Sequence, residues 1–133
     1  VILIPIVALF LGAALALLMK TPVPGVYGQY MAVACLAGFD SVCGGIRSGL
    51  EGKFRNDVFT SGFIFNILIA FFLAWLGDKI FVDLFLAVAL VLGARIFTNL
   101  SLIRRFLLTK WQDSHERKRM QQIVQANQSE TTQ

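Results

Sequence analysis

Four apolar blocks, residues 1–19, 29–46, 58–76 and 82–103, leave this chain few ways to fold. A hydrocarbon core about 30 Å thick is crossed by about 20 helical residues, with a tolerance of a few either way. Each block is near that length. With 56% hydrophobic and 15% charged residues, the chain is too apolar for an ordinary soluble domain, in which about a quarter of residues are charged. At 133 residues one domain is expected. The predicted fold class is all-α, a polytopic membrane protein of four transmembrane helices with both termini cytoplasmic. Residues 1–111 form the transmembrane domain and 112–133 a polar, mobile cytoplasmic tail.

The first block ends at Lys20 and Thr21-Pro22-Val23-Pro24-Gly25, where two prolines and a glycine stop a helix. A cleaved signal peptide is the competing reading. No basic region precedes the block, however, and its run is longer than a usual signal core. Val1 is not an initiator residue, so native residues are expected ahead of it. The second block is diluted by Gly38, Asp40, Ser41, Gly44 and Gly45. Small residues let helix backbones approach closely, and Gly44, Gly45 and Gly49, with Gly45-xxx-Gly49 as the spacing signal, predict a closely packed rather than lipid-facing helix. A re-entrant segment enclosed by protein is the alternative. The polar stretch Arg47–Asp57 is a loop or helix extension, Gly77-Asp78-Lys79 is a tight turn, and Arg104-Arg105 end the fourth span.

Basic residues near span ends set orientation. Arg47, Lys53, Arg55, Arg104, Arg105, Lys110 and Arg117-Lys118-Arg119 fall on one side, Lys20 and Lys79 on the other. The first side is therefore cytoplasmic. At 1.5 Å rise per residue, Asp40 lies roughly 15 Å and Arg95 roughly 20 Å below the outer face, and Asn66 roughly 12 Å above the inner one. All three then share a level, and an Asp40–Arg95 ion pair with Asn66 nearby is predicted. Charge in a bilayer carries a penalty of about 2.5 to 3.5 kcal/mol on insertion scales, so a partner is expected. The cluster either fixes helix packing and register, or lines a polar pocket or path, or meets another subunit; buried ion pairs do not by themselves distinguish these roles.

Catalytic constellations are not recognisable: there is no nucleophile with a base, no phosphate loop and no His/Glu metal motif. Cys35 and Cys43 lack metal-ligand spacing and read as packing residues. His115, the single histidine, sits in the polar tail as a solvated side chain. No enzyme activity, metal or cofactor is expected. Phe59, Phe63, Phe71, Phe72, Phe81, Phe85 and Phe97 serve lipid contact and helix packing, and Trp75 and Trp111 fall near opposite interfaces. The charge of +4 and pI near 9.4 reflect basic residues beside span ends, where anionic headgroups are the expected partner and nucleic acid is not.

Three stretches carry a resemblance: Gly38-Phe-Asp-Ser-Val-Cys-Gly-Gly-Ile-Arg-Ser-Gly-Leu-Glu-Gly-Lys-Phe54, Val58-Phe-Thr-Ser-Gly-Phe-Ile-Phe-Asn66, and Gly93-Ala-Arg-Ile-Phe-Thr-Asn-Leu-Ser-Leu-Ile-Arg-Arg105. Together they resemble the bacterial small basic protein family of integral membrane proteins, over about residues 1–111. The matching elements are Asp40, Gly44-Gly45-Ile46-Arg47, Leu50-Glu51 and Arg95-Ile96-Phe97-Thr98-Asn99, which adds Asn99 to the intramembrane cluster. The family has no agreed activity, and its genes often stand beside those for cell division in Gram-positive bacteria. The resemblance therefore implies a bacterial cytoplasmic-membrane protein and, by association, membrane or division-associated partners. It also marks Arg47 and Glu51, at i and i+4, as more than loop filler: they either pair with each other at the surface or belong to a cytoplasmic contact surface with Lys53, Arg55, Arg104 and Arg105. The function expected is a non-enzymatic scaffold or partner-binding subunit. The alternative is a channel or carrier subunit, as a homo-oligomer, with a polar path around Asp40, Asn66 and Arg95.

Overall fold

Pro24, Gly52 and Asp83 set three of the helix boundaries along this chain. The computed structural model describes residues 3–19, 22 and 24–131, apart from the side chains of Pro5 and Val26. Lys20, Thr21 and Val23, expected at the end of the first span and in the turn after it, lie outside the described residues. All regular structure among the described residues is helical: α1 (Leu3–Leu18), α2 (Gly25–Leu50), α3 (Asn56–Ile80) and α4 (Leu84–Thr131). Two of these helices, α3 and α4, are long and apolar enough to cross a membrane.

Helix α2 starts directly after Pro24, whose extended backbone cannot continue a helix backwards. It closes on Gly52, at φ 72°, with the Lys53 amide donating to the Ser48 carbonyl (2.9 Å) and the Gly52 amide to Gly49 (3.1 Å). That is a Schellman closure, in which a left-handed residue suits glycine. Asp57 in the first turn of α3 and Lys79 in its last complement the helix dipole. The next connection has the same hydrogen bond, from the Val82 amide to the Gly77 carbonyl (3.0 Å), but a non-glycine, Phe81, takes the left-handed position at φ 56°. Asp83 then accepts from the Leu86 amide (3.3 Å) and starts α4.

Helix α2 is the central element: α3 and α4 pack on it and on each other, and among the described residues α1 meets α2 alone. The first half of α2 buries Tyr30, Val33 and Ala37 at helical spacing, and from Ala37 to Gly45 the helix is buried on most sides, with Gly38, Asp40, Ser41, Val42 and Cys43 between them. Tyr30, Val33 and Ala37 meet Ala70 and Ala74 of α3 and Leu92 of α4 in one apolar cluster, with Ile67, Phe85 and Val88 packed around it. The Tyr30 hydroxyl donates to the Asp78 carboxylate beside this cluster.

Four expectations are revised. Gly77-Asp78-Lys79 is not a turn but the last turn of α3; the chain reverses at Phe81–Asp83. Gly77 is buried because α4 starts against it, and a Cβ there would stand 2.7 Å from the Val82 carbonyl oxygen and 2.9 Å from Leu84 Cβ. The second block is an unbroken helix of 26 residues, which removes the broken, re-entrant form. Gly49 is exposed in the last turn of α2, so only Gly45 of the Gly45-xxx-Gly49 pair is buried. Finally, residues 112–131, expected as a mobile tail beyond the helix, continue α4 without interruption. Gln, Glu, Lys, Arg, Met and Ala dominate that segment, and these residues are good helix formers.

Candidate functional site

Midway along α2, Asp40 is 1% exposed. Arg95 reaches it from α4, Nη2 to Oδ2 at 3.0 Å, with the arginine side chain 54% exposed. The contact is an ion pair without hydrogen-bond alignment, so Oδ2 has no hydrogen-bond donor, while Oδ1 accepts from Asn99 Nδ2 at 3.4 Å. One helical turn separates Arg95 from Asn99, which puts both on the same face of α4. Asn66 does not touch the pair; its Nδ2 donates to Ser41 Oγ at 2.9 Å, tying α3 to α2 one residue along.

A second link extends the network. Arg47 Nη1 donates to Asn99 Oδ1 at 3.5 Å, and Arg47 Nε donates to Glu51 Oε1 at 2.9 Å. Glu51, Arg47, Asn99, Asp40 and Arg95 thus form a continuous polar ladder from the α2–α3 loop to the middle of the bundle. The Arg47 hydrogen bond holds the Glu51 carboxyl below its ordinary pKa. The Arg47–Asn99 link was not predicted from sequence. Its signal lies in the spacing: Asp40 and Arg47 are seven apart, two helical turns, and face the same side as the Arg95–Asn99 pair.

Glycines admit these contacts. Gly45 lies under Phe59, and a Cβ on it would come within 2.6 Å of the ring; Gly44 leaves room for the Asn99 amide, 3.7 Å from where its Cβ would be. The three buried residues of α3, Ala70, Ala74 and Gly77, all lie in its second half. Its first half instead borders a cavity of about 230 Å³ that extends from Lys53 and Arg55 in the loop to Asp40, Ser41, Asn66 and Arg95.

The other expected contact residues, Lys53, Arg55, Arg104 and Arg105, are exposed. Arg55 pairs with Asp57 at 2.8 Å. Cys35 is exposed and Cys43 buried, both as free thiols. His115 is exposed with its ring edge-on to Trp111, one turn before it, at 4.4 Å between centroids. Among the described residues no group of three or more His, Cys, Asp or Glu side chains is placed to hold a metal ion.

Every residue of the ladder falls within residues 23–108, which match a family described as "Protein of unknown function (DUF1290)". The chain belongs to this family. Relatives of this DUF1290 member include the "Small basic protein" of Bacillus subtilis, 44% identical over 116 residues that cover 87% of this chain and 96% of that protein. The "Uncharacterized protein Mb1855" of Mycobacterium bovis is 41% identical over 106 residues, covering 78% and 88% respectively, and "Uncharacterized protein Rv1824" of Mycobacterium tuberculosis matches to the same extent. No solved structure matches. The DUF1290 match ends at residue 108, so the distal part of α4 lies beyond it.

Proposed function

We propose that this chain is an integral, non-enzymatic protein of the bacterial cytoplasmic membrane, crossing it four times with both termini cytoplasmic, and that it acts as a scaffold or partner-binding subunit in cell division or envelope assembly. The observation that carries partner binding is the distal part of α4. From residue 104 to 131 every residue of this helix is exposed, and its first turns border a groove with Leu50 and Glu51 at the end of α2. Roughly 40 Å of exposed helix at 1.5 Å per residue presents Arg104, Arg105, Lys110 and Arg117-Lys118-Arg119 together with exposed Phe106, Trp111, Met120 and Ile123. A basic surface with large apolar side chains suits a protein partner beside anionic lipid.

The membrane reading is supported by where the apolar surface lies. Leu11 and Leu15 of α1, Phe65, Leu68 and Phe72 of α3, and Leu90 and Phe97 of α4 all point outward. Such extensive exposed apolar surface suits lipid rather than water. Helix α2 is the least apolar of the first three, yet it packs against the other helices, which satisfies its Gly, Ser and Asp face internally. The link to division rests on the family resemblance.

A carrier has the cavity in its favour. Against it stands the layer of Val33, Ala37, Ala70, Ala74 and Leu92, which separates Asp40 from the Tyr30–Asp78 end of a single copy with apolar side chains. Affinity capture of the full chain from detergent-extracted membranes tests the scaffold. Division or envelope proteins should be recovered, and recovery should fall several-fold with Arg47→Ala plus Glu51→Ala or with alanines at Arg117, Lys118 and Arg119. Recovery unchanged by both sets would contradict the assigned surface.

A further inference from the structure

The cavity between the loop and Asp40 carries more positive charge than its own ion pair uses. Its charged lining residues are Asp40, Lys53, Arg55 and Arg95, three cations to one carboxylate. A guanidinium has five N–H donors, and Arg95 makes a single polar contact, to Asp40, while more than half of its side chain stays exposed. Lys53 makes no ion pair among the described residues, though it lies near enough to Glu51 to help lower its carboxyl pKa, and Arg55 uses one nitrogen on Asp57. The first turn of α3 borders the same space through Val58. Its cap residue, Arg55, supplies no side-chain acceptor, and the Asp57 carboxylate in that turn offsets the positive potential of its amides.

Three aromatic rings line part of the remaining wall, which also carries Ser41, Ser48 and Asn66. Phe54, Phe59 and Phe63 follow one another with ring centroids 5.5 and 6.1 Å apart. At about 230 Å³ the space is smaller than a drug-sized pocket, which starts at about 300 Å³. Planar, multidentate donors of this kind suit phosphate oxygens.

We propose that this cavity binds a phosphate-bearing anion, with Arg95, Lys53 and Arg55 on the phosphate oxygens and Phe54, Phe59 and Phe63 along the adjoining carbon chain. The anion is either the headgroup of an anionic lipid entering beside α3 or a soluble phosphate ester arriving from the loop side. Only the lipid source rests on the membrane reading above. Gly62 provides the means of closing the site: it lines the cavity, and a Cβ on it would meet nothing within 4 Å.

The test uses the full chain, purified in detergent and stripped of lipid. Its thermal midpoint and binding are followed with sn-glycerol 3-phosphate, with phosphatidylglycerol in mixed micelles, and with diacylglycerol as the phosphate-free control. Phosphatidylglycerol should raise the midpoint where diacylglycerol does not. Response to glycerol phosphate as well identifies the phosphate itself as the ligand; response to the lipid alone identifies the headgroup. Gly62→Leu, which removes a helix-interior glycine, should fold at least as stably as the parent and weaken binding ten-fold or more. Lys53→Gln with Arg55→Gln, at exposed positions, should do the same. No preference for phosphatidylglycerol together with no response to glycerol phosphate would overturn the proposal, as would unchanged affinity in Gly62→Leu. Release of the chain from membranes by alkaline carbonate would count against the membrane reading alone, since the soluble-ester arm still judges the cavity.

Discussion

Asp40 and Arg95 share their charge unevenly, the carboxylate fully buried and the guanidinium more than half exposed. Removing the arginine strands a buried carboxylate, whereas removing the carboxylate leaves a cation that faces the cavity. Arg95→Gln should therefore be the more damaging change, at about 2–3 kcal/mol, below the range for a fully buried pair because more than half of the arginine is exposed. Asp40→Asn should cost less, about 1 kcal/mol, since the cation it leaves is exposed. Thermal unfolding of both single variants and the double variant should give a coupling of about 1 kcal/mol or more; additive effects would mean that the two charges do not interact. Gly45 and Gly49 make a second contrast. Alanine at Gly45 drives a methyl into the Phe59 ring and should destabilise by about 1–3 kcal/mol. Alanine at the exposed Gly49 should be neutral or stabilise by up to about 1 kcal/mol, and equal melting shifts for the two would contradict the packing described. The Asp40–Arg95 contact was legible in the sequence because helical rise converts position in an apolar block into depth. The Arg47–Asn99 contact was not, because it depends on the rotation of α2 against α4, which block boundaries do not encode.

At the scale of elements, apolar block length located all four helices, and turn chemistry misplaced one boundary. Gly77-Asp78-Lys79 has turn composition, but its glycine serves close approach to the start of α4 and its aspartate accepts from Tyr30. The actual reversal sits on Phe81, which has no sequence signature for a left-handed backbone. A non-glycine residue in that region is disfavoured by about 1–2 kcal/mol. Phe81 is 97% exposed, so its side chain contributes little packing. Phe81→Gly should accordingly raise the melting temperature, and Gly77→Ala should lower it. A fall with Phe81→Gly would assign that ring a stabilising contact outside the chain. The distal part of α4 was unreadable for a different reason: Gln-, Glu-, Lys- and Arg-rich composition is shared by disordered segments and by solvated helices.

For the whole molecule, the first half of α3 borders a cavity while its second half, with α2 and α4, closes an apolar core. A polar ladder and cavity at the loop end thus meet an apolar layer beyond them, with an exposed basic helix leaving from the loop end. Sidedness of labelling tests this arrangement most directly. In a Cys35→Ser, Cys43→Ser background, Ser48→Cys reports the cavity and Gln125→Cys the distal helix. A membrane-impermeant maleimide should label both positions in inside-out vesicles and neither in intact cells. Labelling of Ser48→Cys from outside the cell, or of the two positions from opposite faces, would contradict it.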